Sequence, residues 1–447
     1  MERLDPHGIG KRFAEGHVGK QMFALIRELF PLCRSITGDG VRQTLRILER
    51  FIPLNVHEVP TGTQVFDWSV PREWNIRDAY VKNSRGDRII DFRRTNLHVV
   101  GYSTPIHRQM SLAELRPHLY SSAEHPDWVP YRTSFYQDNW GFCITHNQFL
   151  SLKDDVYEVC IDSSLEPGFL TYGEYFLPGE LTEEVLISTH VCHPSLCNDN
   201  LSGVAVSVFL ASQLCRWQHR RFSYRFLFIP STIGSITWLA RNEDLVPRIR
   251  HGLVLACLGD AGCLTYKKSR RGSAPIDRAA VFVLQRSGAP HEVRDFSPLG
   301  YDERQFCSPG FDLPVGCLMR TPNGRYPEYH TSADNLDFLR PEALLDSLEK
   351  ALSILALLED NDVCVNLNPL GEPQLGRRGL YQGTRGQSSP SEYEAALLWV
   401  LNGSTGSESL LDIAERSRLD FHLIRRAADA LQSHGLLRGR TNSRGNR

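Results

Sequence analysis

The stretch from Val185 to Leu214 most constrains what this 447-residue chain can fold into. It opens with a short apolar run that continues into Ser188 and Thr189, the pattern of a strand buried on both faces. The sequence then turns polar and resumes at residues 201–214 as a helix of small and apolar residues. Because open parallel sheets bind ligands beyond the carboxyl ends of their strands, we expect a site at this junction.

The polar junction carries residue types that suit a metal ion. His190, His193 and Asp199 fall close together, and imidazole combined with carboxylate suits zinc. Each residue alone also has an ordinary explanation, since single histidines are commonly solvated and an Asn-Asp-Asn run can cap a helix. Two later residues favour the metal interpretation: Asp260 follows another apolar run, and His330 precedes a Thr-Ser turn.

These residues and several longer phrases carry a resemblance to a known family. The chain resembles the co-catalytic zinc aminopeptidase superfamily and, more closely, a bacterial branch of aminopeptidase-like proteins linked by name to polysaccharide biosynthesis or to a domain of unknown function. The matching phrases are RSITGDGVRQTL (34–45), NLHVVGYSTPI (96–106), PYRTSFYQDNWGFC (130–143), THVCHPSLCNDNLSG (189–203), TIGSI (232–236), YHTSADN (329–335) and GRRGLY (376–381).

The resemblance implies a fold and a ligand set. The expected fold class is α/β, a zinc-exopeptidase-like mixed sheet flanked by helices, with an inserted β-rich domain and a C-terminal winged-helix module. The implied zinc ligands are His190, Asp199, Asp260 and His330, with Asp199 placed to bridge two metals. His193 is either the alternative to His190 or a group that orients it.

The chain departs from the family at Ser231. Co-catalytic zinc aminopeptidases carry two glutamates at this junction, a general base followed by a zinc ligand, and the closer branch keeps one of them. This chain has Ser231 and Thr232 there. Neither side chain binds zinc well or holds a proton near neutral pH, so we expect one zinc ion rather than two. Glu328 is then the nearest sequence candidate for proton transfer.

Two further segments are candidates for substrate contact. The resemblance places the turn-rich residues 297–319 at the pocket rim. The candidate substrate contacts are Tyr301, Asp302 and Arg304 of this segment, together with His193. The cationic run at 265–271 is either a solvated face or a clamp for an anionic substrate group. Aromatic residues of the β-rich segment line either its core or a substrate-facing wall: Trp68, Trp74, Tyr136, Trp140 and Phe142.

The distribution of apolar and turn-forming residues along the chain predicts the domain organisation. Residues 1–60 and 155–368 are expected to form the catalytic domain. Short alternating strands with many turns predict a β-rich, lid-like insertion at 61–154. A Gly/Pro/Arg-rich stretch at 361–390 is typical of a linker, and the helical patterns that follow predict a winged-helix-like module at 388–447.

Composition excludes several classes of partner. The net charge is −2 and the pI is near 6.8, so neither nucleic acid nor a membrane surface is the expected partner. No apolar stretch approaches the roughly 18 residues of a membrane span. The 11 cysteines form no CxxC pair, which favours reduced thiols and a cytoplasmic protein. The expected partner is a small-molecule or short-peptide substrate, with homo-oligomer contact through the C-terminal module as an option.

Three functions are compatible with these observations. The first is a zinc-dependent aminopeptidase-like hydrolase that cleaves an amide bond in a small aminoacyl or peptidyl conjugate of a biosynthetic pathway. The second is a metal-binding pseudo-enzyme, which the serine at position 231 favours. The third is a ligand-sensing, DNA-binding regulator that uses the winged helix.

Overall fold

The computed structural model of the chain describes residues 17–381 and 391–439. The described residues divide into two compact units, a larger one of residues 17–351 and a smaller one formed by the rest. The helices of the larger unit are α1 (His17–Leu29), α2 (Asp39–Leu48), α3 (Leu112–Leu115), α4 (His146–Ser151), α5 (Gly203–Leu214), α6 (Ile233–Arg241), α7 (Pro275–Arg286), α8 (Glu303–Phe306) and the start of α9 (Pro341–Asp360).

An eight-stranded mixed sheet organises the larger unit. In spatial order its strands are β1 (Asn55–Pro60), β10 (Phe169–Leu177), β12 (Ser223–Ile229), β11 (Glu184–His190), β13 (Ile249–Leu255), β16 (Val315–Met319), β14 (Leu264–Lys267) and β15 (His291–Arg294). The central strands β12, β11, β13 and β16 run parallel, and antiparallel pairs join them to β10 on one side and β14 on the other.

The central strand β11 confirms the strand predicted from Val185 onward. Every residue of β11 is buried, as expected for a strand with neighbours on both edges and helices over both faces. His190 at its end pairs with Ile229 at the end of β12. The helix predicted at 201–214 begins at Gly203, after an irregular turn at Cys197–Ser202. The predicted α/β class, with its mixed sheet, is confirmed.

A second, antiparallel sheet and several short strands make up the β-rich part. The sheet has the order β5 (Arg88–Asp91), β4 (Glu73–Lys82), β9 (Val156–Glu166), β6 (Ile106–Ser111), and the short pairs are β2 (Gln64–Val65) with β3 (Trp68–Ser69) and β7 (Leu119–Tyr120) with β8 (Phe142–Cys143). The aromatic residues of this part differ in burial. Trp74 and Phe142 belong to the core, whereas Trp68 and Tyr136 are about half exposed.

The smaller unit contains the helices and strands of a winged helix. Its helices are α10 (Glu392–Gly403), α11 (Leu410–Ser417) and α12 (Phe421–Ser433), and its strands are β17 (Val363–Asn366), β18 (Thr405–Ser409) and β19 (Leu437–Gly439). Strand β17 lies between the other two, so the segment 361–390 is not only a linker as predicted. Four residues are too short a run to stand out in a Gly/Pro/Arg-rich segment. Among the described helices, none is long and apolar enough to cross a membrane.

Candidate metal centre

The end of β11 and the turn that follows it place His190 and Asp199 side by side in the interior. Both side chains are fully buried. The turn is held by Asp334, whose two carboxylate oxygens accept hydrogen bonds from the backbone amides of Asn198 (2.6 Å) and Asp199 (2.9 Å). Asp334 comes from the same YHTSADN phrase as His330. Two distant segments of the chain therefore fix each other at the carboxyl end of the sheet.

The carboxylate of Asp199 lies among three imidazoles. Its Oδ1 is 2.9 Å from Nε2 of His190, and its Oδ2 is 3.0 Å from Nε2 of His330 and 3.8 Å from Nε2 of His193. Ligand atoms of His190, His193 and Asp199 all lie within 4.8 Å of one another. Imidazole nitrogens grouped around one carboxylate are a donor set that fits zinc.

The electrostatics of the cluster favour the protonation states that metal ligands need. Burial alone would raise the pKa of Asp199, but His193, His190 and His330 outweigh it and hold that pKa well below its usual value. Burial lowers the pKa of His193 to about 3. An ionised carboxylate beside a neutral imidazole can bind a cation without first losing a proton.

Asp260, predicted as a ligand, lies apart from this cluster. Its Oδ1 accepts hydrogen bonds from Oγ1 of Thr321 (2.6 Å) and N of Gly262 (2.7 Å). Its Oδ2 accepts from Nδ2 of Asn198 (3.0 Å) and N of Thr321 (3.2 Å). These donors occupy both oxygens. Asp260 therefore fixes the loop beside Asp199 through hydrogen bonds.

The Ser231 junction faces the predicted rim residues. The backbone amide of Ser231 donates to Sγ of Cys192 (3.3 Å), and its hydroxyl donates to Oδ1 of Asp302 (3.3 Å). The ring of Tyr301 stacks on that of His190, with centroids 5.2 Å apart and planes inclined by 21°. Arg304 approaches Oγ1 of Thr232 through Nη2 (3.4 Å). All three predicted rim residues therefore border the cluster or the Ser231 junction.

Glu328 and the cationic run are placed differently from the rim. Glu328 is half-buried, and within the described residues its carboxylate makes no hydrogen bond to the cluster. The cations of the run have carboxylate partners on the protein: Lys267 with Glu303, Lys268 with Asp295, and both Arg270 and Arg271 with Asp312. A clamp for an anionic substrate would first have to give up these partners.

Three residues that shape the cluster were not among the predicted site residues. Tyr131 packs its ring near those of His193 and His330, at centroid distances of 5.2 and 5.1 Å. Buried Arg34 donates from Nε to the backbone oxygen of His193 (2.9 Å). Tyr131, Arg34 and Asp334 all lie in phrases that carry the family resemblance, which is the signal that identifies them.

Comparison with known proteins identifies the family of the chain. Residues 23–361 match the family model described as "Domain of unknown function (DUF4910)", and residues 362–439 match a winged helix-turn-helix model. A relative from Clostridium acetobutylicum is 54% identical over 420 residues, covering 94% of this chain and 96% of its own length. Its name describes a polysaccharide biosynthesis protein with an aminopeptidase-like domain.

Solved structures extend the likeness to the fold. A crystal structure from Clostridium acetobutylicum, described as that of a peptidase, has a TM-score of 0.91 and 51% identity and covers 97% of this chain and all of its own. BSAP, a zinc aminopeptidase from Bacillus subtilis, has a TM-score of 0.55 at 12% identity and covers 75% of this chain and 94% of its own. An M28 peptidase precursor from Shewanella amazonensis has a TM-score of 0.53, also at 12% identity, and covers 79% and 97%. The chain belongs to the DUF4910 family, on an aminopeptidase-like fold with a C-terminal winged helix.

Proposed function

We propose that the protein is a zinc-dependent, aminopeptidase-like hydrolase that cleaves an amide bond in a small aminoacyl or peptidyl conjugate. The observation that carries this proposal is the buried carboxylate of Asp199 among three imidazoles at the carboxyl end of β11. The zinc aminopeptidases that share this fold support the reaction class. The departure at Ser231 and Thr232 bears on proton transfer and on the number of zinc ions.

The proposed ligands are His190, Asp199 and His330, with His193 completing the set. His193 takes the place that the sequence suggested for Asp260, since its Nε2 faces Asp199 whereas the oxygens of Asp260 are occupied by protein donors. One zinc ion suffices for such a set. Zinc bound there would supply Lewis-acid polarisation of the scissile carbonyl.

The other residues of the site would orient these ligands and the substrate. Asp334 holds the turn that carries Asp199, and Tyr301 fixes the ring plane of His190 by stacking on it. Arg304, close to Thr232, would contact the substrate at the rim. Such supporting contacts typically change metal affinity or activity by about 10- to 100-fold when they are removed.

The relative and the thiols support the proposed substrate class and location. The name of the Clostridium relative supports a conjugate from a polysaccharide biosynthetic pathway. All cysteines of the chain are free, which supports a cytoplasmic location, where thiols stay reduced. Nucleic acid is not part of the proposal, and the winged helix would contact a second copy of the chain.

The test combines metal content with a substrate screen. Protein purified without chelators should contain about one zinc per chain by elemental analysis and should release amine from a panel of aminoacyl amides. Asp199→Ala should lose both zinc and turnover, whereas Asp295→Ala, at an exposed ion pair, should keep both. Wild-type protein that binds no zinc and hydrolyses nothing after zinc loading would refute the proposal.

A further inference from the structure

Asp302 is a buried carboxyl with one oxygen unused. The residue is fully buried. Its Oδ1 accepts hydrogen bonds from Oγ of Ser235 (2.9 Å) and Oγ of Ser231 (3.3 Å). Its Oδ2 is buried without a hydrogen-bond partner. A buried carboxylate oxygen without a hydrogen-bond partner is costly, so a donor that reaches Oδ2 would lower that cost.

This carboxyl lies on the His190 side of the cluster. The preceding residue, Tyr301, stacks on the ring of His190 with centroids 5.2 Å apart, and burial raises the pKa of Asp302 to about 6. Nδ1 of His190 is a second buried polar atom without a partner. The negative charge of Asp302 also acts on the Cys192 thiol, which contacts the Ser231 amide. Asp302 therefore lies between the Ser231 junction and the residue that stacks on His190.

The other fully buried aspartates around the centre are already engaged. Asp199 faces the imidazoles, both oxygens of Asp334 accept backbone amides, and both oxygens of Asp260 accept protein donors. Glu303 has one unpartnered oxygen, but its other oxygen is 2.7 Å from Nζ of Lys267, which neutralises its charge. Among the described residues, Asp302 combines burial, a free oxygen and a place at the cluster.

We propose that Asp302 is the proton-transfer carboxylate of this site, a role that rests on the proposed hydrolase function. Water loses a proton to Oδ2 of Asp302 as the water oxygen bonds to the scissile carbonyl carbon. The carbon–nitrogen bond then breaks, and Asp302 returns the proton to the leaving nitrogen. Water is the sole co-reactant, and the products are an acid and an amine. Ser231 and Ser235 hold Oδ1 by hydrogen bonds, which leaves Oδ2 to take up and return the proton.

The position of Ser231 explains how the chain can lack a glutamate there. A serine hydroxyl 3.3 Å from Asp302 orients a carboxylate that arrives from another segment. A glutamate at position 231 would bring a second carboxylate against Asp302, and like charges so close cannot both stay ionised in a buried site. Ser231 and Asp302 therefore act as a pair in which one carboxylate suffices.

The test moves the carboxylate from one partner to the other. Asp302→Asn keeps the shape of the side chain and should lower kcat by about 10²- to 10⁴-fold, the usual contribution of a positioned acid–base group, while zinc content and KM stay near wild-type values. Adding Ser231→Glu to Asp302→Asn should recover at least about tenfold of that loss, since a carboxylate again lies beside the cluster. Asp295→Asn, at an exposed ion pair, is the matched control and should behave as wild type.

Three outcomes overturn the role of Asp302. The first is a kcat of Asp302→Asn within about threefold of wild type. The second is a loss of zinc in proportion to the loss of kcat, and the third is no gain in kcat when Ser231→Glu is added. If Asp302→Asn does not fold, Asp302→Ser with added formate takes its place, and kcat should rise with formate; a flat response overturns the role. Zinc-loaded wild type without any hydrolysis would refute the hydrolase function itself, whereas active wild type with an active Asp302→Asn variant refutes only Asp302.

Discussion

Replacing Asp334 with Asn tests how the candidate metal centre is held in shape. The wild-type carboxylate gives one oxygen to the amide of Asn198 and the other to the amide of Asp199, and it is fully buried. Asn has one oxygen and one amino group, so it can accept only one of these amides. The other backbone N–H is left buried without an acceptor, because it then faces the amino group of the Asn side chain, which is itself a donor.

The cost follows from that lost acceptor. A buried donor without a partner costs about 1–3 kcal/mol, so Asp334→Asn should lower the free energy of unfolding by this amount at acid pH. The released turn also carries Asp199, and zinc affinity should fall by about 10- to 100-fold. Asp337→Asn, in the same loop but exposed, is the matched control and should change neither quantity.

The pH dependence gives a second measure of the same residue. Burial raises the pKa of Asp334 to about 7 from the ordinary value of 3.8. In metal-free protein the folded state then holds a proton that the unfolded state has lost, so wild-type stability falls as the pH rises from about 3.8 to about 7. The Asn variant does not titrate and should lack this slope, so the two stabilities converge toward neutral pH.

Urea unfolding of metal-free protein and competition with a zinc chelator would measure both effects. Urea midpoints at constant m-value report the stability difference at each pH. Equal midpoints for wild type and Asp334→Asn at acid pH, together with unchanged zinc affinity, would show that the turn holds its shape without this carboxylate. The reasoning from the two backbone hydrogen bonds would then be wrong.

Three further predictions concern the metal and the core. Asp199→Ala should abolish zinc binding and remove the rise in Tm on adding zinc, because metal bound by the native state stabilises it; full zinc occupancy would contradict the site. Asp260→Asn should keep its zinc by elemental analysis, and loss of zinc would instead restore the ligand set expected from sequence. Arg225→Met should lower the free energy of unfolding by about 3–5 kcal/mol, because Arg225 neutralises buried Glu174 and Glu184; a urea midpoint equal to wild type would contradict this.

The fold and part of the candidate site could be predicted from the sequence, and the reasons can be named. A continuous apolar run predicted β11, and the polar residues directly after it predicted where His190 and Asp199 would meet. Strand β17 was missed because its four residues lie in a segment rich in glycine, proline and arginine. The choice between His190 and His193 also could not be made, since both follow the same apolar run and both are ligand types for zinc.

By itself the sequence determined the α/β class, the central strand β11 and the polar turn that follows it, because burial and turn formation depend on nearby residues. Only the tertiary structure decided which polar atoms remain free. The oxygens of Asp260 are taken by Asn198 and Thr321, which are distant in sequence, whereas one oxygen of Asp302 has no partner in the described structure. Hydrogen bonds between distant segments form only when the chain is folded, so local pattern cannot assign them.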